Sequence, residues 1–168
     1  MIVIETNRLI LRRLTLDDAA FIHELVNDPD WLRYIGDKGV RTLDDTRGYL
    51  EKGPIDMYAR LGFGLFRVEQ RSDGAVIGLC GLIKRDTLDD VDIGFAFLPA
   101  YRAQGYAREA AQATLDYARD VLHLGRVVAI VSPNNRDSAK LLEKVGLREE
   151  RRLEIAERDP VILFGIGF

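Results

Sequence analysis

The strongest constraint on the fold lies between residues 91 and 131. Residues 91–98 read as a strand that is stopped by Pro99. From Ala107 the positions 107, 110, 111, 114, 115, 118, 121 and 122 fall on one helix face, and Gly125 stands where such a helix would end. The uninterrupted apolar run over 127–131 then suits a strand buried on both sides. Strand, helix and strand in that order form a crossover. It joins strands that a tight turn cannot connect, and it places a helix on one face of a sheet.

The remaining segments extend this unit. Residues 63–69 and 76–84 flank the turn sequence Arg71-Ser72-Asp73-Gly74 and predict a hairpin. Residues 2–4 and 8–13 read as extended, with Leu9 and Leu11 alternating against Arg8, Ile10 and Arg12. Thr15-Leu16-Asp17-Asp18 and Thr42-Leu43-Asp44-Asp45 resemble helix-opening capping boxes with Asp in place of Glu. They predict a helix to about Asn27, interrupted by Pro29, and another ending before Gly53-Pro54. A short helix over 137–145 and strands over 147–156 and 161–168, turning at Arg158-Asp159-Pro160, complete a mixed α/β order of ββααβββαβαββ. With 168 residues and no repeat or linker, the expectation is a single domain over 1–168.

Charge and composition exclude several classes. Basic side chains number 24 and acidic ones 27, a net charge of −3, so no broad nucleic-acid footprint is expected, although a local basic patch could receive a phosphorylated ligand. Cys80 is the only cysteine, which rules out an internal disulfide framework and a Cys-rich zinc site. His23 and His123 alone do not make a metal site, so none is expected. The longest uncharged run, 74–83, is far short of the ~18 residues of a membrane helix, and the first residues lack the pattern of a signal peptide. A cytoplasmic protein without a membrane partner is the expectation.

The chemistry concentrates at the junction from Phe97 to Arg108. A strand ends, a short loop holds Arg102, Ala103, Gln104 and Gly105, and a long helix opens with Tyr106, Ala107 and Arg108. N–H groups at a helix start have no internal partner and lie at the positive end of the dipole, so they suit a phosphate. Gly105 lets the backbone approach closely, and Ala107 leaves room. On spacing alone, an ordinary junction that binds nothing stays open. Neither G-x-G-x-x-G nor G-x-x-x-x-G-K-[ST] is present, which argues against a dinucleotide fold or a P-loop.

Arg102-Ala103-Gln104-Gly105-Tyr106-Ala107 resembles R/Q-x-x-G-x-G/A, the coenzyme A pyrophosphate loop of the GNAT N-acetyltransferases. Residues 6–12, Thr-Asn-Arg-Leu-Ile-Leu-Arg, resemble the T-x-R-L-x-L-R opening of the RimJ/RimL-like branch, the ribosomal-protein N-terminal acetyltransferases. Pro133-Asn134-Asn135-Arg136-Asp137-Ser138 followed by Leu142-Glu143-Lys144-Val145-Gly146-Leu147 is similar to that branch's P-x-N-x-x-S…L-E-K-x-G-F. The resemblance implies a GNAT fold: a strongly twisted mixed sheet flanked by helices and splayed between its fourth strand, 91–98, and its fifth, 127–132. It also implies acetyl-CoA as cosubstrate in the cleft. Backbone groups near Phe97 and Leu98 would meet the pantetheine, residues 102–108 the pyrophosphate, and Asn135 the coenzyme arm near its thiol end. The implied reaction is direct acetyl transfer to a primary amine, on a protein N-terminus or a small molecule, by a monomer or homodimer. A non-catalytic acyl-CoA-binding module is the alternative.

Such a transfer needs a proton acceptor for the ammonium, donors for the developing oxyanion and stabilisation of the departing thiolate. Asp92 stands where the family pattern often has Glu and is the candidate base; its other reading is a solvated acid at a strand edge. Ser138 matches the serine that this branch is thought to place near the coenzyme sulfur; its other reading is a helix cap. Many relatives carry a Tyr as acid at the position of Leu142, so here Ser138 or water would have to assist the thiolate. Cys80 reads as a small apolar residue inside a strand rather than as a nucleophile. Trp31 and Tyr34 fall in the region that shapes the family's acceptor pocket, with core packing as the other reading.

Overall fold

The structure is a computed structural model and describes residues 1–155 and 158–168. Its centre is an eight-stranded sheet: β1 (Ile2–Glu5), β2 (Leu9–Arg13), β3 (Leu65–Gln70), β4 (Val76–Ile83), β5 (Asp92–Phe97), β6 (Arg126–Val131), β7 (Arg148–Leu153) and β8 (Val161–Gly167). The spatial order is β1-β2-β3-β4-β5-β6-β8-β7, and every neighbouring pair is antiparallel except β5 and β6. The expected strand at 91–98 is β5; it ranks fourth when the edge strand β1 is left out of the count. The last residue of the strand expected over 147–156 lies outside the described residues.

The helices are α1 (Ala19–Val26), α2 (Pro29–Tyr34), α3 (Leu43–Leu50), α4 (Asp56–Leu61), α5 (Tyr106–Asp120) and α6 (Arg136–Lys144). Both capping boxes form: Thr15 and Asp18 exchange hydrogen bonds ahead of α1, and Thr42 and Asp45 do so ahead of α3. One face of the sheet carries α1 and α3, which bury Ile22, Leu25 and Leu50 against Leu79. The amphipathic stripe of α5 buries Ala110, Ala111, Thr114, Leu115 and Ala118. The alanines let this helix lie close to β4 and β5, so that Leu82, Ile93 and Leu115 share one core with Phe164. Each fully buried leucine or phenylalanine of that core contributes about 1.5–3 kcal/mol relative to exposure.

Three boundaries differ from the sequence reading. Pro29 does not merely interrupt; it is the first residue of α2, capped by the Asp28 side chain, where its missing N–H costs nothing. The helix opened by Thr42 does not stop before Gly53-Pro54. A π-turn over Glu51–Ile55 carries it through the proline into α4, and it ends at Gly62 in the left-handed conformation. The wider π-turn accommodates a ring that would collide with the preceding turn of a regular helix. Gly125 does not end α5 either. The helix stops at Asp120, and the left-handed residue beyond it is His123, with φ 55°.

Candidate active site

The sheet is split at β5 and β6, the one parallel pair among the described residues. β5 and β6 meet at a single register position, Asp92 opposite Val128, with the Val128 N–H donating to the Val91 carbonyl at 3.0 Å. β4 pairs with β5 from Ile83↔Asp92 to Gly78↔Phe97, and β8 pairs with β6 along its full length, so both strands are held from outside while they part from each other. The Leu98 N–H donates to the Ile77 carbonyl, which places it on the β4 side. By strand alternation the main-chain groups of Phe95 and Phe97 face the split. Leu98, expected beside the pantetheine, thus has its N–H already committed. The split opens into a cleft of about 880 Å³ lined by both strands, the loop before α5 and the start of α6. That volume is enough for a cofactor-sized ligand.

At the C-terminal end of β5 the loop is shaped for an anion. Ala103 and Gly105 both have left-handed backbones, with φ of 61° and 83°. The Arg102 N–H donates to the Pro99 carbonyl and the Glu109 N–H to Gly105, but among the described residues the N–H groups of 103–108 make no hydrogen bond. Consecutive free donors at the positive end of a 15-residue helix are an anion cradle without any basic side chain. The Arg102 guanidinium itself is occupied: Nε donates to the Phe97 carbonyl at 3.0 Å, Nη2 to Asp28 at 2.8 Å and Nη1 to Asp30. It fastens the loop to β5 and α2. Gln104 Nε2 donates to the Ala100 carbonyl at 2.9 Å, while Arg108 is exposed on the rim.

The N-terminal motif locks the same loop. Glu109, in the first turn of α5, accepts hydrogen bonds from Thr6 Oγ1 at 2.5 Å, the Arg8 N–H at 3.0 Å and Arg8 Nε at 2.7 Å. Arg8 Nη1 donates to the Gln104 carbonyl at 3.1 Å, and the guanidinium lies over the Tyr106 ring at 4.3 Å. Burial opposes ionisation of Glu109, but the bonds from Thr6 and Arg8 prevail and hold its pKa below the ordinary value. Sequence reading found the Thr6–Arg8 motif but not this partner, because residues 101 or more positions apart carry no spacing signal.

At the opposite end of β5, roughly 17 Å away at the rise per residue of a strand, stands Asp92. It is not a solvated edge acid: it is 1% exposed and pairs with Arg85 Nε at 3.0 Å. Burial raises its pKa, against the opposing pull of Arg85, so the carboxylate has a stronger affinity for a proton than a free one. The cleft is also lined by Trp31, Tyr34, Lys38, Tyr49, Arg85 and Arg158, of which Arg85 and Arg158 lie near enough to act on the Asp92 carboxylate. Trp31 and Tyr34 were singled out from sequence; the others were not, since they come from separate loops and α3.

On the β6 wall, Asn135 caps α6 by accepting the Ser138 N–H through Oδ1 at 3.3 Å. The cap is therefore Asn135, not the Ser138 hydroxyl. Both Asn135 Nδ2 and Ser138 Oγ line the cleft side of α6 without a partner among the described residues. Leu142 is fully buried. Cys80 is also fully buried in β4, against Thr114 Oγ1 at 3.3 Å, and burial pushes its thiol up to about 12, so it supplies no thiolate. No group of His, Cys, Asp and Glu among the described residues could hold a metal ion, and no described helix is long and apolar enough to cross a membrane.

Comparison with known proteins agrees with this architecture. Residues 8–148 match the acetyltransferase (GNAT) domain family. An uncharacterised N-acetyltransferase of Bacillus subtilis, YnaD, is 32% identical over 147 residues, covering 88% of this chain and 83% of the relative. A spermidine N(1)-acetyltransferase of Vibrio cholerae is 27% identical over 148 residues, covering 88% and 83%. RimL, a ribosomal alpha-N-protein acetyltransferase solved in complex with coenzyme A, shares the fold with a TM-score of 0.84 at 18% identity, over 99% of this chain and 98% of that one. With a split mixed sheet, a loop of free N–H groups and a family match over most of its length, the chain belongs to the GNAT acetyltransferases.

Proposed function

We propose that this single domain, residues 1–168, transfers an acetyl group from acetyl-CoA directly to a primary amine in the cytoplasm. The observation that carries the reading is the run of unpartnered N–H groups over 103–108, opening onto a split strand edge. The pyrophosphate rests on those donors. The pantetheine follows the β5 edge past Phe97, with Asn135 Nδ2 on the other wall. The amine nitrogen attacks the thioester carbonyl carbon, the C–S bond breaks and coenzyme A leaves as the thiolate. Main-chain N–H groups on the split edge stabilise the oxyanion. Asp92 accepts the amine proton, directly or through water, and Ser138 Oγ donates a hydrogen bond to the thiolate.

The test is a coenzyme titration followed by thiol-release assays with a panel of primary amines. Acetyl-CoA is expected to raise the melting temperature by mass action, and at least one amine to release thiol stoichiometrically with its acetylation. No stabilisation at millimolar acetyl-CoA overturns the reading. Stabilisation without release by any amine identifies a non-catalytic acyl-CoA-binding module instead.

A further inference from the structure

Beside Asp92 the cleft gathers three cations, Lys38, Arg85 and Arg158. They line it from the loop after α2, the β4–β5 connection and the β7–β8 connection, and Arg85 acts on both of the others. Against them stands Asp92, which Arg85 engages at 3.0 Å. Lys38 and the Arg158 side chain make no hydrogen bond or ion pair among the described residues. Both residues are exposed at the mouth of the cleft; partial desolvation there lowers the pKa of each, repulsion by Arg85 adds to it, and Asp159 and Asp92 oppose it at Arg158. Of the other acids that line the cleft, Asp28 and Asp30 are held by Arg102, and exposed Asp137 lies away from these cations in the first turn of α6. The indole N–H of Trp31, which also lines the cleft, is buried without a partner among the described residues. Among the described residues, the wall around Asp92 therefore offers donors and positive charge but no unengaged carboxylate.

Resting on the transferase reading, we infer that the acceptor is an amino-carboxylate, a small amine with a carboxylate close to it such as an α-amino acid, held by Lys38, Arg85 and Arg158 while its amine faces Asp92. A polyamine is the wrong occupant for such a wall, because its second ammonium would meet these cations. The inferred acceptor thus differs from the spermidine for which two relatives are named.

The experiment compares L-alanine, L-alaninamide and spermidine at saturating acetyl-CoA, with rates expressed per concentration of neutral amine. It also measures, by calorimetry, binding of N-acetyl-L-alanine and N-acetyl-L-alaninamide to the protein loaded with coenzyme A. The expected result is a kcat/KM at least tenfold higher for alanine than for its amide, with spermidine poorest. Arg158→Gln and Lys38→Met should each cut the acid-over-amide ratio about tenfold, the weight of a charge-assisted hydrogen bond, with acetyl-CoA affinity unchanged. If no amine turns over but N-acetyl-L-alanine binds, N-acetyl-L-alaninamide does not, and Arg158→Gln abolishes the difference, the carboxylate site stands and the transferase reading falls. Preferred turnover of spermidine, or equal binding or no binding of acid and amide, overturns the inference.

Discussion

The tie between the N-terminal motif and the 102–108 loop makes a quantitative prediction for Glu109→Gln. The substitution preserves volume but removes the charge that receives Thr6 Oγ1, the Arg8 N–H and Arg8 Nε. Hydrogen bonds to a charged acceptor are worth about 1.5–3 kcal/mol when sheltered. The Arg8 side chain is 41% exposed, however, so its ion pair contributes no more than ~1 kcal/mol. Glutamine retains one acceptor oxygen and turns an NH₂ donor toward donors. The net loss is about 2 kcal/mol, which in a chain of this size lowers the melting temperature by roughly 4–8 °C. Acetyl-CoA affinity should fall about tenfold, because Arg8 then holds the Gln104 carbonyl less firmly. The pH dependence supplies a second readout. An acid whose folded pKa lies below its unfolded one adds stability above the unfolded value and loses it as pH falls through the folded one. Glu109 is lowered from 4.5, so the stability gap between parent and variant should be full at pH 7 and close as pH drops below about 4.5. Thermal unfolding and coenzyme titration across that range check both parts. Equal melting temperatures and equal affinities at pH 7, or a gap that persists undiminished to about pH 3, would refute the reasoning.

Other substitutions address the remaining machinery. Gly105→Glu should abolish acetyl-CoA binding while the fold persists, since it puts a side chain on a left-handed residue, 3.2 Å from Arg8 Nη2, and an anion where the free N–H groups await one; circular dichroism and coenzyme titration check it. Asp92→Asn should slow transfer ~10²–10⁴-fold, the usual weight of a general base, with acetyl-CoA affinity nearly unchanged; a loss of only about twofold at optimal pH rejects the role. Ser138→Ala should reduce turnover on the order of tenfold without changing the melting temperature, because Asn135 and not Ser138 caps α6. Preserved turnover leaves water as the thiolate's hydrogen-bond donor.

What the sequence made legible was whatever local pattern or a compact motif encodes. The capping boxes at Thr15 and Thr42, the hairpin around Asp73-Gly74 and the α5 stripe all rest on neighbours a few positions apart, and all are present. The helix boundaries missed at Pro29, Pro54 and Gly125 share one cause. Proline and glycine were read as breaks, but proline also starts a helix, a π-turn can absorb it, and His123 supplied the left-handed residue instead. At the site, the 102–108 loop was legible because its geometry is encoded in adjacent residues. The burial of Asp92, its pairing with Arg85, and the gathering of Lys38 and Arg158 beside it were not. Those groups come from separate connections, and only the closing of the sheet brings them together.

The single rung between β5 and β6 has a consequence for how the molecule holds together. Sheets ordinarily keep their unsatisfied strand edges at the border, where charge or a covering helix guards them. Here such an edge lies in the interior, and the chain is two half-sheets, β1–β5 and β6–β8, hinged at Asp92 and Val128 and spanned by α5. A ligand laid along the β5 edge would act as a non-peptide strand, bonded through the backbone rather than through side chains. Coenzyme recognition along that stretch is then insensitive to residue identity, provided the backbone stays splayed. Side chains on the cleft walls are free to vary with the acceptor, while the geometry of the gap is what the fold must keep.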